Sequence, residues 1–210
     1  MIFKKNVCQF IANHIIMKFK FLLIPVLAFI FCMPMNAQKV AVKTNLISDV
    51  LLSPNLGFEA GLARKWTLDV NGQLNLWTVD DKKWRHYFVQ PELRYWLCRS
   101  FQGHFFGVHG IGGQYNFGNI DFNLNFLDTD RHPHKGMRYE GWGAGAGLSY
   151  GYAWAVHPRW NIEAEIGLGW IYTRYSSYPC AKCGKRISNN RPHNYVGPTK
   201  AAINVVYIIK

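Results

Sequence analysis

The sequence predicts an all-β fold, an eight-stranded antiparallel up-and-down transmembrane β-barrel preceded by a cleaved signal peptide. Eight segments alternate apolar and polar residues with a period of two, which is the period of strands and not of helices. The connections between these segments alternate between short and long, as the turns and loops of membrane barrels do. A short apolar run follows two lysines near the N-terminus, as in secretory signals.

The N-terminal segment has the three-part layout of a secretory signal. Met17 precedes two lysines, an apolar run over residues 21–31 and an exit of small residues. The apolar run is too short for a membrane-spanning helix, which needs about 20 apolar residues. Residues 1–16 are expected to be an over-extended N-terminus, with Met17 as the first residue of the protein. A cleaved signal peptide is expected at 17–37 and the barrel domain at 38–210.

Eight strands are predicted in the remaining chain. They cover residues 40–51, 55–64, 66–78, 86–98, 103–117, 139–156, 160–174 and 196–209. Tight turns alternate with the longer connections at 79–85, 118–138 and 175–195, apart from a brief first loop. An even strand number, with tight turns on one side and longer loops on the other, is typical of transmembrane barrels.

The stretch "GWGAGAGLSYGYAW", residues 141–154, shows how the two faces of a strand differ. Glycine or serine occupies each odd position from Gly141 to Gly151, and apolar or aromatic residues occupy the even ones. Aromatic residues also bracket the strands, as interfacial girdles do, although Trp77 and Trp96 fall on polar faces. The bracketing pairs are Trp66 and Trp77, Tyr87 and Trp96, Trp142 and Trp154, Trp160 and Trp170, and Tyr195 and Tyr207. A soluble sandwich or lipocalin-like barrel is the alternative, because alternation alone does not separate a core from lipid.

The polar faces place eight charged side chains inside the predicted barrel. They are Lys43, Glu59, Asp69, Glu92, Arg94, Glu163, Glu165 and Lys200. Charges removed from water persist only when they are paired, so the three cations are expected to be shared among the five carboxylates. The glycine face leaves room for these long side chains in an interior that side chains just fill. The predicted lumen is therefore a plug and not a pore.

Several motifs together resemble one family of proteins. They include "KTNLISDVLLSPNLGFE", "PELRYWL", "GHFFGVH", "RYEGWGAGAGLSYGY", "RWNIEAEIGLGW", "YPCAKCG" and "GPTKAAINVVY". Over roughly residues 40–209 the chain resembles the DUF3575 family of uncharacterised Bacteroidetes outer-membrane β-barrel proteins. The resemblance implies a small outer-membrane barrel of unknown activity, sometimes associated with fimbrial components, and it supplies no catalytic residues.

No catalytic set is predicted. Glu163 and Glu165 lie two residues apart on one strand, where interior ion pairing is the better interpretation than a paired-carboxylate site. His109 has no serine or aspartate partner that the sequence reveals. We therefore expect a structural or surface-interaction protein, of which a fimbria-associated protein is one variant, with a small-solute pore or an outer-membrane enzyme as the alternatives.

The motif "CAKCG" places Cys180 and Cys183 in the last long loop. A disulfide or a pair of free structural thiols is the default for neighbouring cysteines in an exported protein. A zinc site would recruit His193, or His132 and His134 from another loop, as further ligands, and redox catalysis is the third interpretation. Apart from this zinc, no cofactor is expected. The loop lies beyond the barrel, so we predict that a Cys180→Ser, Cys183→Ser double variant inserts and resists heat like the parent. A variant that fails to assemble would contradict this, and stoichiometric zinc in the purified parent would favour the metal site.

Basic residues cluster in the predicted long loops. They are Lys82, Lys83, Arg85, Arg131, Lys135, Arg138, Lys182, Lys185, Arg186 and Arg191, with His132, His134 and His193 among them. Clustered lysine and arginine attract phosphate groups, so outer-membrane lipid and lipopolysaccharide are the expected partners, with fimbrial or other surface proteins as a second class. Simple loop solvation is the other interpretation. Nucleic acid is not an expected partner of an exported barrel, and the expected location is the outer membrane.

Overall fold

Eight strands and one short helix make up the part of the chain that the computed structural model describes, residues 39–79, 82–118, 138–179 and 187–209. The elements are β1 (Val40–Asn45), α1 (Leu46–Val50), β2 (Asn55–Ala63), β3 (Trp66–Val79), β4 (Lys82–Trp96), β5 (Gly103–Gly118), β6 (Arg138–His157), β7 (Trp160–Tyr178) and β8 (Ser188–Ile208). The predicted signal peptide at 17–37 and the preceding residues 1–16 lie outside the described residues.

The strands form one closed, barrel-like ring. Each strand pairs antiparallel with the next along the chain, and β1 closes the ring by pairing antiparallel with β8, from Ala41 opposite Ile208 to Asn45 opposite Asn204. The predicted all-β fold of eight antiparallel strands in sequential order is therefore confirmed. Among the described residues, no helix is long and apolar enough to cross a membrane.

The first strand is shorter than predicted because a helix replaces its second half. The side-chain oxygen of Asn45 accepts a hydrogen bond from the backbone N–H of Ile47, which caps the N-terminus of α1. Its amide nitrogen donates to Ser48 Oγ at 3.2 Å. Residues 46–50 therefore follow the local cap rather than the alternation that predicted a strand up to residue 51.

The longer connection predicted at 79–85 is wrong. Strands β3 and β4 continue pairing until Val79 lies opposite Lys82, so only two residues connect them. Arg85 Nε donates to Thr78 Oγ1 at 3.1 Å across the hairpin. The cross-strand partners extend the ladder through polar residues that sequence patterns alone assign to a loop.

An irregularity in β8 reverses the faces of its first half. Gly167 lies opposite Lys200 while the next residue, Leu168, lies opposite Pro198, so Thr199 is an extra residue in β8. Such a bulge changes which face the following side chains occupy. Tyr195 consequently pairs with the buried Ile171. Its predicted place among the outward-facing aromatic residues is therefore wrong.

The two faces of the ring have opposite chemistry. Large apolar side chains cover the outer face and remain exposed. They include Leu56, Phe58, Val70, Leu74, Val89, Leu93, Val108, Leu148, Ile162, Ile166, Leu168 and Ile203. Charged and amide side chains occupy the interior and are buried. Trp96 is an exception to the predicted aromatic girdle, because it lies fully buried inside the ring.

Candidate functional site

The eight charged residues that the sequence predicts to face inward lie together in the ring interior. Strands β1, β2, β3, β4, β7 and β8 each contribute at least one of them. We call this set the charge layer: Lys43, Glu59, Asp69, Glu92, Arg94, Glu163, Glu165 and Lys200. All but Lys200 are almost completely buried, and its side chain is 8% exposed.

Neighbouring strands bring carboxylates directly side by side. Glu59 on β2 lies opposite Asp69 on β3, and Asp69 lies opposite Glu92 on β4. Like charges directly across a ladder destabilise a sheet. The register of three strands thus concentrates negative charge that only interior cations can neutralise.

Arg94 is the centre of the charge layer. Its guanidinium contacts all five carboxylates, a geometry that the planar fork of five donors makes possible. The distances are 2.8 Å from Nη1 to Glu59 Oε2, 3.3 Å from Nη2 to Asp69 Oδ2, 3.3 Å from Nε to Glu92 Oε2, 3.2 Å from Nη1 to Glu163 Oε2 and 2.7 Å from Nη2 to Glu165 Oε2. One side chain therefore connects β2, β3, β4 and β7.

The two lysines complete the charge layer on either side of Arg94. Lys43 Nζ lies 2.7 Å from Glu59 Oε2 and 2.9 Å from Asp69 Oδ2. Lys200 Nζ pairs with Glu92 and lies 3.1 Å from Glu165 Oε1. Three cations against five carboxylates leave a formal excess of negative charge in the interior.

Neutral side chains supply further hydrogen bonds that sequence reasoning missed. Thr67 donates its hydroxyl to Glu59 Oε1, and Ser149 donates to Glu92 Oε1. Trp96 Nε1 in turn donates to Thr67 Oγ1 at 2.9 Å. Their positions in the sequence could have identified them, because Thr67 and Ser149 alternate onto the same inward face of their strands as the charged residues and glycines.

Glycines make space for these side chains. A Cβ atom at Gly107, which lies opposite Arg94, would collide with Glu92 Oε1 and with Ser149 Oγ. A Cβ atom at Gly147 would lie 2.7 Å from His109 Nε2. The glycine face of the quoted stretch is therefore turned inward, towards side chains from neighbouring strands.

An aromatic layer lies beneath the charge layer. It lies towards the end of the ring where β2 turns into β3, β4 into β5 and β6 into β7. Trp96, Phe101 and Phe105 are fully buried, with ring centroids 4.7 Å apart for Trp96 and Phe105. The guanidinium carbon of Arg94 lies 4.5 Å from the centroid of the Phe105 ring. This cation–π contact joins the two layers.

Other residues considered for chemistry are engaged in structural contacts. Glu163 and Glu165 pair with Arg94, and a ring nitrogen of His109 lies 2.8 Å from Thr199 Oγ1. Among the described residues, no serine or cysteine side chain lies within hydrogen-bonding distance of these three groups, and the hydroxyl beside His109 is that of Thr199. Within the described ranges, that hydroxyl has no second base or orienting group of the kind that a catalytic triad uses.

The predicted zinc ligands are only partly described. Cys180 and Cys183 lie outside the described residues, as do His132 and His134. His193 lies in β8 opposite Thr173 and not in a loop, which corrects its predicted position. In the described ranges no group of three or more histidine, cysteine or acidic side chains is placed to hold a metal ion.

Comparison with known proteins identifies a family whose description gives no function. A family model described as "Protein of unknown function (DUF3575)" matches residues 22–209. The chain belongs to the DUF3575 family. The predicted resemblance is thereby confirmed, and the match begins before the described residues. No curated protein and no solved structure matches the chain.

Proposed function

We propose that this DUF3575 protein is a structural or surface-interaction barrel of the outer membrane. The observation that carries the proposal is the inverted distribution of side chains: charges are buried inside the ring while large apolar side chains cover its outer face. In water such an outer face would be a large exposed apolar patch, which soluble monomers rarely have. In a bilayer the same face is the lipid contact.

The closed ring suits a membrane because every strand has two partners. Lipid offers no hydrogen bonds to backbone groups, so only helices and closed barrels cross it without cost. Aromatic residues lie on the outer face near the strand ends, among them Trp66, Trp142, Trp154 and Trp160, each between 42% and 49% exposed. Such residues form the interfacial girdles of membrane barrels. Export by a signal peptide at 17–37 is part of the proposal.

The charge layer and the aromatic layer support a closed lumen. Arg94, Glu163, Trp96 and Phe105 are all 0% exposed although they lie in the ring interior. A path for ions or solutes would need to separate side chains that pair at 2.7–3.3 Å. The function favoured is therefore structural or surface interaction, and not transport through the lumen.

Basic residues at the end of the ring with the longer connections support an anionic partner. Lys83, Arg85, Arg138 and Arg191 lie near the ends of their strands on this side. Arg138 Cζ lies 4.1 Å from the centroid of the Tyr178 ring, which holds one guanidinium at the rim. We propose lipopolysaccharide phosphates as the lipid partner, and fimbrial or other surface proteins as the protein partners.

Membrane insertion is tested by fractionation and by heat-modifiable gel mobility. The protein is expected in the outer-membrane fraction, and the unboiled sample is expected to migrate faster than the boiled one. Recovery in the soluble periplasmic fraction, without detergent, would overturn the proposal. A pull-down with the purified barrel against fimbrial and surface proteins from the native cell tests the second class of partner.

A conductance measurement tests the closed lumen. In planar bilayers the folded protein is expected to give no stable ohmic steps, because the charge layer and the aromatic layer fill the cross-section. As a matched comparison, an Arg94→Ala preparation that still folds should show leak events. Stable steps in the parent would favour the small-solute pore, and hydrolysis of outer-membrane lipid by the parent would favour the enzyme.

A further inference from the structure

A cavity of about 290 Å³ lies inside the ring, between the charge layer and the end with the longer connections. Asp69 and Lys200 of the charge layer line its floor. Trp84 and Phe117, each within two residues of a strand end, line its upper part. The volume is close to the lower limit of the ~300–1,000 Å³ typical of small-molecule sites.

Five amide side chains from four strands form much of the cavity wall: Asn45, Asn71, Gln73, Gln90 and Asn204. Within the described part of the chain, the amides of Asn71 and Asn204 make no side-chain hydrogen bond. Gln90 Nε2 makes only a long one, 3.4 Å to the carbonyl oxygen of Thr199. Each amide offers both donors and an acceptor, so the wall presents unused hydrogen-bonding capacity of both kinds.

Two buried polar atoms at this cavity have no hydrogen-bond partner in the part of the chain that the structure describes. Asp69 Oδ1 and His86 Nδ1 lack a hydrogen bond among the described residues, and their side chains are more than nine-tenths buried. His86 Nε2 lies 3.1 Å from Gln73 Nε2, an amide donor, which assigns the ring proton of a neutral His86 to Nδ1. The cavity thus offers one buried acceptor and one buried donor. A hydroxyl group satisfies both kinds, because it donates one hydrogen bond and accepts others.

Aromatic rings line the same cavity. Trp84 and Phe117 have ring centroids 5.3 Å apart, and His86 stacks on Phe88 at 5.1 Å. Such rings present flat apolar surfaces beside the amides. A molecule with hydroxyls around its edge and C–H groups on its faces, as in a pyranose ring, matches both surfaces.

The charges at the cavity favour a neutral occupant. Asp69 and Lys200 are the full charges among its described lining residues, and they have opposite sign. An anion would approach a carboxylate that already has an unpartnered oxygen, and an organic cation would approach the ammonium of Lys200. The cavity therefore selects neither an anionic nor a cationic ligand. The amides of its wall and the two unpartnered atoms favour a ligand that carries hydrogen-bonding groups.

We propose that this cavity is a binding site for a single neutral sugar ring, free or at the end of a glycan. The amides of Asn71 and Asn204, together with Asp69 Oδ1 and His86 Nδ1–H, recognise its hydroxyls. Trp84, Phe88 and Phe117 contact its apolar face. The site lies wholly within the ring, so the proposal holds whichever compartment the ring occupies.

The test uses the full-length mature protein, folded in a zwitterionic detergent without sugar head groups. Methyl glycosides of glucose, galactose, mannose and N-acetylglucosamine are the probes, measured by saturation-transfer NMR and titration calorimetry. At least one is expected to bind saturably with one-to-one stoichiometry. Asn71→Leu and Asn204→Leu are each expected to weaken that binding roughly tenfold or more, because they remove donors and acceptors while they keep the number and branching of the side-chain heavy atoms.

The matched control is Gln114→Leu, which makes the same chemical change at an exposed position outside the cavity and should bind like the parent. If leucine prevents folding, Asn71→Ser is the second variant and must also weaken binding. Absence of saturable binding by a parent with heat-modifiable mobility would leave ordered water as the occupant and overturn the site. Preferential binding of inorganic phosphate or putrescine, or unchanged affinity in both asparagine variants, would overturn it as well.

Discussion

Replacing Arg94 with methionine is expected to leave only a minor fraction of the chain in a heat-resistant folded state at neutral pH. Methionine retains much of the side-chain length but removes the guanidinium that contacts five carboxylates. Removing one partner of a buried ion pair costs about 3–5 kcal/mol because it leaves uncompensated charge. That loss is a large fraction of a typical total stability of about 5–15 kcal/mol. The fraction of heat-modifiable protein and the urea midpoint in detergent micelles measure it.

Two comparison variants separate the charge effect from a general effect of substitution. Arg64→Met makes the same change at an exposed arginine between β2 and β3, and its urea midpoint should equal that of the parent. Adding Glu165→Gln to Arg94→Met removes one of the uncompensated carboxylates and should recover part of the lost stability. An Arg94→Met protein with the parental midpoint would contradict the central role of Arg94.

The second large effect is expected from Gly145→Leu. A Cβ atom at Gly145 would collide with the backbone oxygen of Trp170 and would lie 2.8 Å from Ile171 Cα. Backbone atoms in a closed ladder cannot move aside as a flexible side chain can. Overpacking in a filled interior costs ~1–3 kcal/mol, and we expect the upper end of that range here. The measurement is the fraction of protein with heat-modifiable mobility.

The neighbouring residue provides the matched control. Ala146 is exposed on the opposite face of β6, so Ala146→Leu adds a similar volume outside the ring and should fold like the parent. The contrast between the two variants tests which face of the glycine-rich stretch points inward. Equal folding of both, or greater damage from Ala146→Leu, would contradict the assignment of the faces.

Much of the architecture could be predicted because strand alternation is a local property of the chain. Successive side chains point to opposite faces, so two residues of one strand whose numbers are both odd or both even, such as Glu163 and Glu165, share a face. This inference about parity needs no knowledge of the partner strand. The same parity argument placed all eight members of the charge layer inside. It failed where the period is interrupted, at the capped helix α1 and at Thr199, whose place as an extra residue reverses the face of Tyr195.

Burial of Trp96 shows a second limit of the sequence. Its position on a polar face was visible, yet aromatic residues at strand ends suggested a girdle. The structure places it inside because Thr67 accepts its indole N–H and Phe105 packs against its ring. Both partners lie on other strands. The alternation along β4 gives Trp96 the same inward direction as Glu92 and Arg94, but it does not show which groups surround the indole ring.

The sequence by itself determined that the chain forms eight strands with one apolar and one polar face, and which charged residues lie on the polar one. Only the tertiary structure decided that Glu59, Asp69 and Glu92 lie in one row, that Arg94 reaches all five carboxylates, and that a cavity remains above them. The reason is that alternation fixes the direction of a side chain, whereas register and ring closure fix its neighbours. Distances between strands remote in sequence, such as the 2.7 Å from Arg94 to Glu165, arise from that register alone.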